Sequence, residues 1–178
     1  MAVMTAAVAN GGRVLSPRLV RKIEWPRYLN RGPTLFQAEE IRQLDVDPKH
    51  LKIAQEGMRR VIIGDRGTAR GLANIGFEVA GKTGSAQFEL DKRTHAWFVA
   101  YAPYDNPRFA VAVLVTEGGS GSETAGPIAA DILRAAMEKY QDDSTLDDRY
   151  ALPEDQVSSS EDPEEASDAV TTNEPAEG

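Results

Sequence analysis

The residues best suited to chemistry are packed into Gly81-Lys82-Thr83-Gly84-Ser85-Ala86-Gln87. Lys82 offers an ammonium group that can hold a carboxylate or support the charge of a proton relay. Thr83 and Ser85 lie two residues apart, so a strand would put both hydroxyls on one face. Gly84 between them has no side chain and permits close approach of another backbone. A lysine beside a turn glycine is also ordinary surface composition, so the run needs a context before it means catalysis.

Two contexts compete. Gly76 to Thr83 formally matches the phosphate-binding loop G-x-x-x-x-G-K-T. That loop curls its N–H groups around an anion and starts a helix at the lysine. Here Phe77 and Val79 alternate toward a strand, and Gly84 is a poor residue for a first helical turn. The apolar run Val113-Leu114-Val115 lacks the aspartate expected of a partner strand. The extended reading is therefore preferred to the nucleotide one.

The elements around the run can be read coarsely. Residues 1–9 form an apolar helix stopped by Gly11-Gly12. No capping residue precedes it, which leads us to expect further sequence upstream. Residues 18–23 suggest a short strand, and 24–46, with Pro26 and Pro33, read as irregular. Asp47-Pro48 opens a helix, aspartate at the cap and proline at the first position. Leu51, Ala54, Met58 and Val61 give it an apolar stripe, and Gly64 can end it. Residues 64–76 read as a glycine-rich loop. Three strands follow, at 77–90, 95–101 and 109–116. The turn Pro103-Tyr104-Asp105-Asn106-Pro107 has hairpin chemistry. Gly118 to Ser122 breaks the last strand, as a plain turn or as the lip of a cleft. A helix over 123–140 closes the unit, with Ala125, Ile128, Ile132, Leu133 and Ala136 as its stripe. The order implies an α+β fold, an antiparallel sheet packed by helices.

Charge divides the chain. Residues 141–178 carry 13 acidic and 1 basic residue, a net of −12, whereas 1–140 has a net of +4. The acidic stretch has too little apolar surface to offset its ordering entropy and is expected to be disordered. The expected organisation is one domain over 1–140 and an acidic tail over 141–178. The absence of cysteine excludes disulfides, thiol catalysis and thiolate metal sites. His50 and His95 have no ligand spacing. No run approaches the roughly 18 apolar residues of a membrane span. The apolar start is too short, and lacks the basic residues, for a secretory leader.

Several ordered stretches resemble the transpeptidase domain of class B penicillin-binding proteins, most closely the cell-elongation, penicillin-binding protein 2 type. Val79 to Gln87 is similar to the family's third active-site strand, whose lysine-threonine-glycine run is a signature of these enzymes. His95 to Pro103 and the strand after it, Gly67-Thr68-Ala69, the Ala9-Asn10-Gly11-Gly12 turn and Gly126 to Ala129 follow in the family's order. The resemblance covers about residues 1–138. It implies acyl transfer, in which a serine attacks the D-Ala-D-Ala amide of a peptidoglycan stem peptide, or a β-lactam. Lys82 would be the fixed cation beside that serine. Thr83 and Ser85 would bind the terminal carboxylate, Gly84 would admit the substrate backbone, and the Ser85 N–H would be one oxyanion donor. It implies no cofactor, no metal and no nucleic acid. Its partners would be stem peptides, β-lactams and, in full-length relatives, membrane proteins of cell elongation, on the extracytoplasmic face of the membrane.

The signature is incomplete here. No serine is followed three residues later by lysine, and no Ser-x-Asn occurs. The expectation is the C-terminal part of a transpeptidase domain, inactive alone and prone to association through exposed apolar surface. Two other classes stay open: a non-catalytic interaction module with the tail as its contact segment, and a phosphate-loop nucleotide binder. Trp97 and Phe98 are expected to pack rather than stack on substrate, and His95 to be a polar strand end.

Overall fold

The computed structural model describes residues 1–87 and 91–142. The expected tail beyond residue 142, and Phe88 to Leu90 of the first expected strand, lie outside the described residues.

Helix α1 (Ala2–Ala9) is apolar on all sides and buries only Thr5 and Ala7. Gly11 and Gly12 then take positive φ angles of 83° and 100°, a backbone that side chains disfavour. The reversed chain enters β1 (Arg13–Leu15). Residues expected to be irregular contain short strands. After β2 (Lys22–Ile23) come β3 (Thr34–Leu35) and β4 (Glu40–Gln43), pairing β2 with β3 and β1 with β4. The strand expected over 18–23 thus shrinks to two residues. Two- to four-residue strands are too short to show a period, and pairing distant in sequence creates them.

Helix α2 (Pro48–Ile63) starts as expected, with the Asp47 side chain accepting the Lys49 N–H at 2.8 Å. Its buried positions are Leu51 and Ile62, and Ala54 is exposed. The stripe is therefore rotated from the expected one, because the helix packs along Leu51, Gln55, Met58, Arg59 and Ile62. It ends at Gly64, in extended rather than left-handed backbone.

The central sheet has the order β5-β6-β7, with β5 (Ala80–Ala86), β6 (His95–Ala102) and β7 (Phe109–Val115) antiparallel throughout. Strand β5 is shorter than expected, since residues 77–79 make other contacts. The Val79 carbonyl accepts from Arg59 at 3.0 Å and the Glu78 carbonyl from the Tyr104 N–H at 3.0 Å.

A π-helical turn (Gly121–Ala125) leads into α3 (Gly126–Asp142). The helix expected from residue 123 thus begins three residues later. Its buried face is Ala129, Ala130 and Leu133, continued by Ala125 of the preceding turn, while Ile128 and Ile132 stay 42% and 48% exposed. Small side chains face small ones here: Ala96, Ala100 and Ala102 of β6 are also fully buried. Alanine on both surfaces lets the helix sit low on the sheet, with Leu133 as the large side chain of the contact. Phe98, Val111, Val113 and Ile62 complete this core. Phe98 and half-buried Trp97 pack as expected of sheet residues.

Candidate active site

Among the described residues β5 is an edge strand, bonded to β6 alone. Lys82 and Ser85 are exposed, and Thr83 and Gly84 half-buried. Register places Thr83 opposite Phe98 and Ser85 opposite Ala96, so their side chains share one face, as their spacing predicts. Lys82, opposite Val99, belongs to the other face. The backbone stays extended from Ala80 to Ala86, in contrast to the turn into a helix that a phosphate loop makes at its lysine.

Three neighbours hold this edge. The loop after α2 folds back on it: the Gly67 N–H donates to the Gly64 carbonyl and the Ala69 N–H to that of Val61. This brings the Thr68 hydroxyl within 2.8 Å of the Thr83 hydroxyl. On the far side, the Ser85 hydroxyl donates to the Gly119 carbonyl at 3.3 Å, which also accepts from Thr94 at 2.8 Å. The expected lip, Gly118 to Ser122, therefore runs beside Ser85. Behind Gly84 lies Gly121. A Cβ there would stand 2.4 Å from the Trp97 carbonyl oxygen and 2.6 Å from that of Gly84. Glycine is required because the turn before α3 touches the strand backbone itself.

Lys82 donates to the Thr83 carbonyl at 2.6 Å. It also borders an open groove of about 380 Å³, lined by Arg60, Val61, Arg66, Gly67 and Thr68 among others. Among the described residues no acidic side chain lines it. Arg59, one residue from the groove, anchors the base of β5: it bonds the Val79 carbonyl and pairs with Glu78 at 2.6 Å. Its guanidinium lies 5.4 Å over the Tyr104 ring.

Sequence reading missed Arg60, because the apolar stripe drew attention to the other side of α2, and Arg66, because it lies in the loop that follows. Thr68 was noted only as part of a resemblance, and its bond to Thr83 is a tertiary contact with no local signal. His95 opens β6 opposite Ala86, with its Nδ1 accepting the Glu117 N–H at 3.0 Å. Among the described residues no cluster of side chains could hold a metal, and no helix is long and apolar enough to cross a membrane.

An antiparallel sheet covered by helices, with lysine, threonine and serine on its edge strand, defines an α+β protein. Residues 1–138 match the penicillin binding protein transpeptidase domain, and the chain belongs to that family. It is 33% identical over 148 residues to the peptidoglycan D,D-transpeptidase MrdA of Haemophilus influenzae, covering 72% of this chain and 22% of that protein. It is 34% identical to the peptidoglycan D,D-transpeptidase PbpA of Mycolicibacterium smegmatis, covering 75% and 27%. The crystal structure of Pseudomonas aeruginosa PBP2 in complex with WCK 5153 is 36% identical, with a TM-score of 0.62 over 74% of this chain and 28% of that one. Penicillin-binding protein A from M. tuberculosis, as its imipenem acyl-enzyme, gives 29% identity and a TM-score of 0.62, over 76% and 29%. The chain thus spans about a quarter of the length of the curated relatives it matches.

Proposed function

We propose that this chain supplies the lysine-threonine-glycine side of a peptidoglycan D,D-transpeptidase site, which is also the side that meets β-lactams. The observation that carries this reading is the edge strand β5, where Lys82, Thr83 and Ser85 stand beside a groove lined by Arg60 and Arg66 and, among the described residues, by no acidic side chain.

In this role the substrate's terminal carboxylate meets the hydroxyls of Thr83 and Ser85. The Thr68 hydroxyl, bonded to that of Thr83, holds the rotamer of Thr83; with Thr68 as the donor of that bond, Thr83 keeps its own proton for the ligand. The Ser85 hydroxyl exchanges its bond to the Gly119 carbonyl for one to the ligand. The ammonium of Lys82 lies beside the reacting serine, where it lowers the cost of the negative charge that develops there. The Ser85 N–H stabilises the oxyanion, and Gly84 lets the acyl chain lie close along the strand. The nucleophile is a serine outside this sequence, since no Ser-x-x-Lys occurs in it. The reaction would take place on the extracytoplasmic face of the membrane, where stem peptides are cross-linked.

The test is a chimera in which this chain replaces the matching segment of the Haemophilus influenzae relative. Fluorescent penicillin should label the chimera, and Lys82→Ala should slow labelling by about 100-fold or more, the range for losing one electrostatic stabiliser. The chain alone should gain no acyl mass. Equal labelling of a folded chimera with and without Lys82, or acylation of the chain alone, would overturn the proposal.

A further inference from the structure

Thr83 and Ser85 share one face of β5, and Lys82 belongs to the other. A carboxylate held on the first face by two hydroxyls has no counter-ion there, and taking a charge out of water without one is costly. A cation on the same side offsets that cost, and a planar guanidinium does so with two parallel N–H bonds.

Arg93 is placed to be that cation. It is exposed and lies just outside the last pair of β5 and β6, Ala86 with His95. Its side chain reaches across to the lip beside Ser85. A Cβ on Gly119 would stand 3.0 Å from Arg93 Nη2 and 3.8 Å from its Cζ and Nε, so the guanidinium lies over that glycine. The Gly119 carbonyl is the one that accepts from the Ser85 hydroxyl at 3.3 Å. Thr94, next to Arg93, fixes Gly119 from both ends: its hydroxyl donates to the Gly119 carbonyl at 2.8 Å and its carbonyl accepts the Gly119 N–H at 2.8 Å. Traced through the Cα and carbonyl of Gly119, Arg93 Nη2 is about 10 Å or less from the Ser85 hydroxyl. A carboxylate bonded to that hydroxyl is then within the swing of so long a side chain. Among the described residues Arg93 has no carboxylate partner, and the acids of the lip, Glu117 and Glu123, form no ion pair with it.

We propose that Arg93 is a specificity-determining residue of this site, the cation that a ligand carboxylate on Thr83 and Ser85 meets on the lip side of the strand. The assignment rests on the reading given under Proposed function for where the carboxylate sits, and it adds the source of the charge. The site then selects a ligand that ends in a carboxylate over an amide or ester of the same shape, because a neutral end gains nothing from the guanidinium. When the ligand takes the Ser85 hydroxyl, the Gly119 carbonyl keeps its bond from Thr94, so the lip stays in place during the exchange. The contact is the same before and during reaction, so Arg93 acts on affinity and not on the chemical step.

The full chain gives the first measurement. Titrated with acetyl-D-Ala-D-Ala, the amide NMR signals of Thr83 and Ser85 and the side-chain Nε–H signal of Arg93 should shift together, whereas the C-terminal amide of the same peptide should leave Arg93 unmoved. Shifts at Thr83 and Ser85 without one at Arg93 would overturn this assignment alone. No shift at any of the three would overturn the carboxylate site along with it. In the chimera with the Haemophilus influenzae relative, Arg93→Gln should raise the benzylpenicillin concentration for half-maximal acylation about 10-fold, the low end for a hydrogen bond between charged groups. The maximal rate should stay within about 2-fold. Arg93→Lys, which keeps the charge and loses the fork, should recover most of the affinity. The methyl ester of benzylpenicillin should acylate Arg93→Gln and the parent alike. Equal slowing of acid and ester, or a loss confined to the maximal rate, would make Arg93 a prop of the lip and overturn the proposal. A chimera that Lys82→Ala slows and Arg93→Gln does not would leave the role of Lys82 standing and remove that of Arg93.

Discussion

Gly121→Ala is the most incisive single change, because it pushes on the reactive strand from behind without touching its side chains. The added methyl would sit 2.4 Å from the Trp97 carbonyl oxygen, 2.6 Å from the Gly84 carbonyl oxygen and 3.0 Å from the Gly84 nitrogen. A carbon–oxygen contact needs more than about 3 Å, so the turn and the sheet have to separate by roughly 0.7 Å in a close-packed interior. All three obstacles are backbone, and no rotamer change can relieve them. Overpacking of this kind costs about 1–3 kcal/mol, or a fall in melting temperature of about 3–9 °C for a domain of this size. The control is Gly71→Ala, where the new methyl meets nothing within 4 Å and stability should stay within about 1 kcal/mol. Thermal melts of the two variants give the difference directly. In the chimera, Gly121→Ala should also slow penicillin labelling, since Gly84 moves with the sheet. A Gly121→Ala protein that melts and labels like the parent would refute the close approach of the turn to β5.

Two further outcomes follow from burial. Leu133 is 1% exposed and Ile132 is 48% exposed; Leu133→Ala should cost about 2–5 kcal/mol in urea unfolding and Ile132→Ala about 1 kcal/mol or less, and a reversed order would place the wrong face of α3 on the sheet. Burial, aided by neighbouring Tyr104 and Asp105, pushes the Tyr101 phenol up to about 12, so its proton is held in the folded chain after an unfolded chain would release it at about pH 10. The folded state therefore loses stability as pH rises from about 10 toward 12. Tyr101→Phe should flatten that alkaline slope; because the hydroxyl has no hydrogen-bond partner among the described residues, the variant should match or exceed the parent at pH 7. A loss of more than about 2 kcal/mol at pH 7 would mean that the hydroxyl is bonded.

Local chemistry was legible wherever a few adjacent residues decide the outcome. Asp47-Pro48 announced α2, Gly11-Gly12 ended α1, and the valine-rich alternation of β7 and the face shared by Thr83 and Ser85 followed from periods of two. The α+β class followed from the order of those elements. The lysine-threonine-glycine run and its ordered neighbours pointed to the family that residues 1–138 match.

Other features were decided only by contacts between distant segments. Strands β1 to β4 exist through pairings that no local period advertises. Hydrophobicity assigned Ile128 and Ile132 to the inner face of α3, but Ala129, Ala130 and Leu133 take that face against the alanines of β6, and the isoleucines stay largely exposed. The groove likewise depends on folding, since Arg60, Arg66 and Lys82 line it together only because the loop after α2 turns back on β5. Sequence by itself determined which side chains this protein has for chemistry and the local backbone that carries them. Tertiary structure decided which of them stand together, because packing volume and hydrogen bonding between remote segments are properties of the assembled core.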